Sequence, residues 1–186
     1  MKKKPIRKRA TKSDWLAQAL QQLEEGGESS VRVEVLARQL GIAKSGFYWH
    51  FKDRADLLAQ LLDYWRHEYT QVAVQNPDLL QGDPTLRLRK LVEMILEFDL
   101  TKYDLAMRAW ASRDSNVAKR VGEVYGVRFE FVRGLFRELG FTGAELEMRT
   151  RLFVCYQSWE RTMYWREPKQ NLRRLIKKRV DLLTRK

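Results

Sequence analysis

"VEVLARQLGIAKSGFYWHFKDRADLLAQLL", residues 33–62, is the stretch on which the reading of the whole chain turns. A short apolar-periodic run from Val33 to Leu40 stops at Gly41. A second short run follows from about Lys44 to His50, and Asp53 then stands as an N-cap for a longer helix, with Asp56 in its first turn near the positive dipole end. Helical spacing places Leu36 and Ala37 on an inner face, where small Ala37 lets two helices cross closely. Leu40, Ile42 and Phe47 meet under the turn as a wedge. A short helix, a glycine turn and a second short helix make a helix-turn-helix candidate. The alternative is an ordinary helical hairpin within an all-α core, the more frequent meaning of a lone helix-Gly-helix pattern.

On either side of this stretch the apolar periodicity is helical almost throughout. Upstream, Thr11 and Asp14 have capping-box spacing, and Trp15, Leu16, Ala19, Leu20 and Leu23 supply an apolar stripe before "EEGGESS" ends the helix. Downstream, the helix opened by Asp53 runs to about Gln75, where Asn76-Pro77 stops it. A loop with Gly82, Asp83 and Pro84 leads into "TLRLRKLVEMILEFDL", followed by "DLAMRAWASRD" and "SNVAKRVGEVYGVRFEFVRGLFRELG". Gly140 closes that helix, Thr142-Gly143 opens "AELEMRTRLFVCYQSWERTMYWRE", and Pro168 precedes the last helix, "NLRRLIKKRVDLLTRK". About nine helices and no strand are expected, an all-α fold. The expected division is a basic disordered arm over 1–10, a helix-turn-helix domain over 11–54 and a helical ligand-binding and dimerisation domain over 55–186.

Composition narrows the function. Over 186 residues, 44% are hydrophobic and 32% charged, a globular mixture large enough for one substantial core or a small domain joined to a larger one. No window approaches 18 uncharged apolar residues, no apolar stretch follows the basic N-terminus, and a single cysteine, Cys155, excludes an intramolecular disulfide. These features lead to the expectation of a cytoplasmic protein without a membrane span. The net charge is +12, and residues 2–9, "KKKPIRKR", carry six basic side chains and no acid. Such a segment is either a solvated tail or a flexible arm that follows a DNA backbone or minor groove, and composition does not choose between them.

The residues of 33–62 carry a more specific likeness. Leu36-Ala37, Gly41-Ile42, the run Phe47-Tyr48-Trp49-His50-Phe51, Arg54 and Leu57-Leu58 stand in one register across three consecutive helices. Over residues 10–62 the sequence resembles the N-terminal DNA-binding domain of TetR/AcrR-family transcriptional regulators. The resemblance implies a three-helix DNA-binding unit, a C-terminal domain that diverges with its ligand, and a dimer. It departs from the family pattern at Arg32-Val33 and at Ala43, where Ser or Thr commonly caps the following helix. Loss of such a cap typically costs ~1 kcal/mol. Gly46 is small for a recognition helix and lowers helix propensity by up to ~1 kcal/mol.

The aromatic run is divided by helical phase. Phe47 and Phe51, four apart, share a face and are assigned to the core. Tyr48 and His50 project outward and, by resemblance, contact DNA phosphates. Trp49 has two readings: its indole N–H reaches a phosphate, or its ring packs on the first helix. Lys44, Ser45 and Gly46 begin the recognition helix and are assigned to base edges, with Lys44 suited to guanine O6 or N7. Lys52 and Arg54 are expected to clamp phosphates, and Arg32 to replace the usual phosphate contact at the entry of the second helix. His50 and His67 lie on different helices with no third ligand in view, so no metal site and no cofactor are expected.

In the remainder of the chain an aromatic stripe is more often plain core than pocket. The resemblance implies a small-molecule inducer there, and Tyr64, Glu93, Arg108, Trp110, Tyr125, Arg128, Tyr156 and Glu160 are the residues offered for its pocket. Leu172, Leu175, Ile176, Val180 and Leu183, with Leu152, Cys155, Tyr156, Trp159 and Met163, are expected to form a four-helix dimer interface from the last two helices, with Cys155 as a small core residue on that face. A two-fold dimer would read a palindromic double-stranded DNA operator, with recognition helices ~34–36 Å apart or a little more. The expected protein is a ligand-released repressor. Ligand binding would swing the long fourth helix and change the separation of the recognition helices. No Gly-rich phosphate loop, Gly-x-Ser-x-Gly or His-Glu-x-x-His occurs, so enzymatic activity is not expected.

Overall fold

The computed structural model describes residues 10–160 and 169–186, and every described element is helical. The first helix, α1 (Lys12–Gly26), begins as its capping box dictates. Thr11 accepts from the Asp14 amide, and Asp14 accepts from the Thr11 amide at 2.8 Å. Its stripe of Trp15, Leu16, Ala19, Leu20 and Leu23 is buried. After a short 3-10 turn (Glu28–Ser30), α2 (Val33–Gln39) buries Val33, Leu36 and Ala37. Gly41 has φ 68°, a left-handed turn that a Cβ would strain, and it lets the chain reverse into the next element.

That element, Lys44–Trp49, is a 3-10 helix rather than the α-helix its spacing suggested. Neither Arg32 nor Ala43 gives its helix a side-chain cap, as their chemistry dictates. A 3-10 helix repeats every three residues, so positions i and i+3 lie one above the other. Asp53 then caps α3 (Arg54–Arg66), accepting from the Asp56 amide at 2.8 Å. The helix continues through a π-helical segment (His67–Gln71) into α4 (Val72–Val74), a single rod ending one residue short of the expected Gln75. One added residue per turn in the π segment rotates the inward face and buries Thr70.

Asn76 caps α5 (Pro77–Leu80), a short helix not foreseen from the sequence, and Asp83 caps α6 (Pro84–Glu97). Both start with proline at the first turn, where no amide is needed. There follow α7 (Asp104–Ala111), α8 (Ser115–Glu138), α9 (Gly143–Trp159) and α10 (Lys169–Thr184). Two apolar clusters result. The first joins α1, α2, Phe47, Phe51 and α3 to Tyr103, Met107 and the first half of α8. The second joins α5, α6, the second half of α8, α9 and α10. Because α8 belongs to both, and the α3–π–α4 rod runs from one to the other, the helix-turn-helix unit is tied to the larger bundle by continuous packing.

Ile176, Val180 and Leu183 differ from their expected role. They are buried in this chain's own core, beside α6, where Arg89 donates to Asp181 at 2.9 Å. Leu152, Tyr156 and Trp159 remain exposed, as do Met148 and Leu175, and Cys155 is exposed rather than a core residue. The reason is that α9 is apolar on both sides: Leu146, Phe153 and Val154 fill the core while Met148, Leu152 and Tyr156 face outward. Met163 lies outside the described residues, as does the side chain of Leu172.

Candidate nucleic-acid interface and effector cavity

The 3-10 helix is anchored from beneath. Phe47 is fully buried, edge-on to Trp15 at 5.4 Å and tilted against Phe51 at 5.1 Å. With that ring fixed, the three-residue repeat turns the next two aromatics outward: Tyr48 is 60% exposed and Trp49 78%. Trp49 is therefore not packed into the core beside the first helix. Ser45 lies in register with Tyr48, and half-buried Gly46 with Trp49, so each aromatic neighbours a small residue along the helix surface. Lys44, Ser45, Lys52 and Arg32 are exposed.

Several of these side chains have partners that the sequence did not disclose. Lys44 forms a salt bridge to Glu34 on α2, which ties the recognition element to its neighbour. That hydrogen bond holds the Glu34 carboxyl below the ordinary carboxylate range and raises the Lys44 ammonium above its ordinary value. His50 is half-buried, and its Nε2 lies 3.1 Å from the carbonyl of Ala10, the residue that follows the basic segment. The Lys52 amide donates to Asp56 at 2.9 Å, while hydrogen bonding from Gln60 is the largest influence lowering the Asp56 carboxyl.

Arg54 departs furthest from its expected part. Its Nε donates to the Val31 carbonyl at 2.7 Å, and Nη2 donates to the Glu28 carbonyl at 2.6 Å and to the Glu28 carboxylate at 2.5 Å. A guanidinium whose Nε and Nη2 are held by two backbone carbonyls and a carboxylate braces the turn before α2.

Of the residues offered for a pocket, three come together. Arg108 Nη1 donates to the Tyr125 hydroxyl at 2.7 Å, and that hydroxyl donates to Asp104 at 3.2 Å. Arg128 grips the same carboxylate through Nη1 at 2.6 Å and Nη2 at 3.2 Å. It also donates from Nε to Thr70 Oγ1 at 2.8 Å and from Nη2 to the Tyr69 carbonyl at 3.2 Å. Burial is the main reason the Tyr125 and Tyr69 phenols are raised above their ordinary value, so both stay protonated donors. Asp104, at 1% exposure, is the hub of this network.

The other pocket candidates separate. Glu93 is exposed on the outer side of α6, about 100–160° around the helix from the inward Leu88, Leu91 and Val92, so its assignment to a pocket is corrected. Tyr156 and Glu160 lie with Arg179 of α10, whose guanidinium is 4.0 Å from the Tyr156 ring and 3.4 Å from Glu160. Tyr64 packs half-buried against the first cluster. Trp110 lines an open cleft of about 970 Å³ between the α1–α3 unit and α7, together with Leu23, Leu58, Ala106 and Val117.

A second, smaller cavity of about 50 Å³ lies inside the larger bundle. Tyr69, Thr70 and Ala73 of the rod line it, with Leu91, Phe131, Arg128 and Gln157. Sequence reasoning found Arg128 but missed Asp104, Thr70 and Gln157. For Gln157 a signal existed: it continues the buried phase of Leu146, Thr150, Phe153 and Val154, a polar side chain at a core position. Among the described residues no group of three His, Cys, Asp or Glu side chains is placed to hold a metal ion, and no helix is long and apolar enough to cross a membrane.

A glycine-turned pair of short helices on a packed third, joined to a helical bundle, defines the class: a helix-turn-helix DNA-binding domain with an α-helical companion. Residues 16–61, which hold the helix-turn-helix, match the sequence model of "Bacterial regulatory proteins, tetR family". It is 27% identical over 92 residues to the HTH-type transcriptional regulator AcrR of Shigella flexneri, an alignment covering 50% of this chain and 43% of that protein. The matched part thus spans less than half the length of that relative. The fold is also that of PfmR, a TetR-family regulator from Thermus thermophilus, with TM-score 0.68 and 20% identity over 92% of this chain and 97% of that one. FadR from Bacillus subtilis, in complex with stearoyl-CoA, has TM-score 0.66 and 15% identity over 94% and 98%.

Proposed function

We propose that this protein is a dimeric transcriptional repressor of the cytoplasm that binds a palindromic operator and is released by a small-molecule effector. The observation that carries the DNA-binding reading is the 3-10 helix Lys44–Trp49, which buries Phe47 and leaves Tyr48 and Trp49 exposed beside Lys44 and Ser45. Tyr48, Trp49, His50 and Lys52 supply donors for phosphates, and Arg32 adds charge at the entry of α2. Lys44, Ser45 and Gly46 are the residues that meet base edges. The domain division that goes with this reading is an arm over 1–10, the helix-turn-helix unit over 11–54 and the effector and dimerisation domain over 55–186.

The outward stripe of Met148, Leu152, Tyr156 and Trp159 on α9, with Leu175 and Leu182 on α10, is the surface we assign to a second copy of the chain. The effector reading rests on the cavity beside the π segment, because that segment lies in the helix that starts at the DNA-binding unit. It is supported by FadR, a protein of the same fold seen in complex with stearoyl-CoA. An effector shifts the balance only by its preference for the released conformation.

Selection of bound fragments from a genomic library tests this reading. The expected result is enrichment of a two-fold symmetric sequence bound by a dimer, with affinity falling steeply as salt rises. Binding without a preferred sequence would overturn it, as would no salt-sensitive binding to any duplex.

A further inference from the structure

The small cavity contains an anomaly. Gln157 is 4% exposed, and neither its Nε2 nor its Oε1 has a hydrogen-bond partner. Buried amides without partners are rare, because the group has given up water and received nothing in return. Gln157 lines a space of about 50 Å³ whose other walls are mostly aliphatic and aromatic, among them Ala73, Leu91, Ile95 and Phe131. Both a donor and an acceptor are therefore presented, unused, to an apolar space.

The charge in the wall is already neutralised. Arg128 is the one charged residue among the described lining residues, and its guanidinium is committed to both oxygens of Asp104, to Thr70 Oγ1 and to the Tyr69 carbonyl. An anionic head group would meet a satisfied ion pair and a single amide donor, so it would lose hydration without gaining a countercharge. A cationic one would meet only the Gln157 oxygen and the same satisfied pair. A neutral group with a carbonyl and an N–H or O–H meets both halves of the amide.

We propose that Gln157 is the polar recognition residue of the effector cavity and that the effector enters it with an uncharged hydrogen-bonding group on an apolar chain or ring. The volume suits the end of such a molecule, the remainder lying towards the surface. Because Thr70 belongs to the π segment and accepts from Arg128, the same occupant abuts the rod that leads to the DNA-binding unit. This inference rests on the effector reading above and names the chemical class that reading leaves open.

Calorimetric titration of the full-length protein at pH 8 with hexanamide, hexanoate and hexylamine tests it. The expected result is saturable hexanamide binding about tenfold tighter, or more, than either charged analogue, since losing one buried hydrogen-bonding partner is worth a factor of that order. Gln157→Met, close to Gln in volume, should erase the preference while leaving the melting temperature unchanged or raised, because the orphan amide is gone. A purely structural Gln157 would instead lower it. Hexanoate binding as tightly as hexanamide would overturn the proposal. So would an unchanged preference in Gln157→Met, or no saturable hexanamide binding, which would leave the cavity a site for water alone. The wild-type series decides the matter even if Gln157→Met does not fold. Protein that binds selected DNA but not hexanamide defeats this inference alone; protein that binds hexanamide but no DNA defeats the regulatory reading alone.

Discussion

Arg128 and Asp104 form a two-point ion pair at 2.6 and 3.2 Å, with the Asp104 side chain 1% and the Arg128 side chain 13% exposed. The carboxylate opens α7 and the guanidinium stands midway along α8, and through Thr70 and Tyr69 the same guanidinium holds the π segment. Three helical elements thus meet at one charged hub. Removing one partner of such a pair leaves the other charge buried and uncompensated. Arg128→Leu should destabilise the protein by about 3–5 kcal/mol in urea unfolding. A loss below about 1 kcal/mol, the range of exposed ion pairs, would show that the hub contributes no more than a surface salt bridge.

Arg54 distinguishes a brace from a clamp. Its bonds to Val31 and Glu28 predict that Arg54→Ala lowers stability by about 1.5–3 kcal/mol, the range for hydrogen bonds to charged groups. The slope of log affinity against log salt should stay at its wild-type value. A phosphate clamp would behave in the opposite way: little change in stability and a slope smaller by about 1.

Tyr48 and Lys44 should separate position from preference. Tyr48→Ala is expected to weaken binding to every duplex by a similar factor, because a phosphate contact carries no sequence information. Lys44→Ala should change which half-site is preferred, with discrimination at one base falling by about 1–3 kcal/mol. Binding measured across a panel of single-base operator variants checks both.

The Lys44–Glu34 pair has a defined pH window. The Glu34 carboxyl is depressed in the folded chain by its hydrogen bond to Lys44. Its contribution is therefore complete above the ordinary carboxylate value of 4.5 and is lost as pH falls through the lower folded value. An NMR titration of the Glu34 side-chain carboxyl should show a midpoint below 4.5, rising towards that value in Lys44→Met, where the backbone hydrogen bond and Arg32 still lower it. A wild-type midpoint at or above 4.5 would show that the pair does not persist in solution.

The outward face of α9 should hold the dimer together. Leu152→Glu places a charge in an exposed apolar stripe that includes Met148, Tyr156 and Trp159. Burying that charge unpaired is costly, so the variant should sediment as a monomer and bind DNA with much lower affinity. A dimer of unchanged stability in sedimentation would place the interface elsewhere.

Elements that depend on neighbours along the chain were legible from the residues alone. The Thr11–Asp14 box, the Asp53 cap, the Gly41 turn and the apolar stripes of α1 and α2 are local chemistry, written at fixed offsets and read at those offsets. The separation of buried Phe47 and Phe51 from outward Tyr48 was also legible, although the α-helical phase behind it is not that of the 3-10 helix, and Phe51 lies past its end. Whatever depended on partners far away in sequence was settled by the packing of the chain. Packing took Arg54 inward to carbonyls more than twenty residues earlier, set His50 against Ala10, and turned Ile176 and Val180 into this chain's own core. It drew Asp104, Tyr125 and Arg128 to one hub and left Gln157 facing an apolar space. Periodicity tells which face of a helix is apolar. Only the arrangement of the helices decides what that face meets, and whether a polar group on it finds a partner.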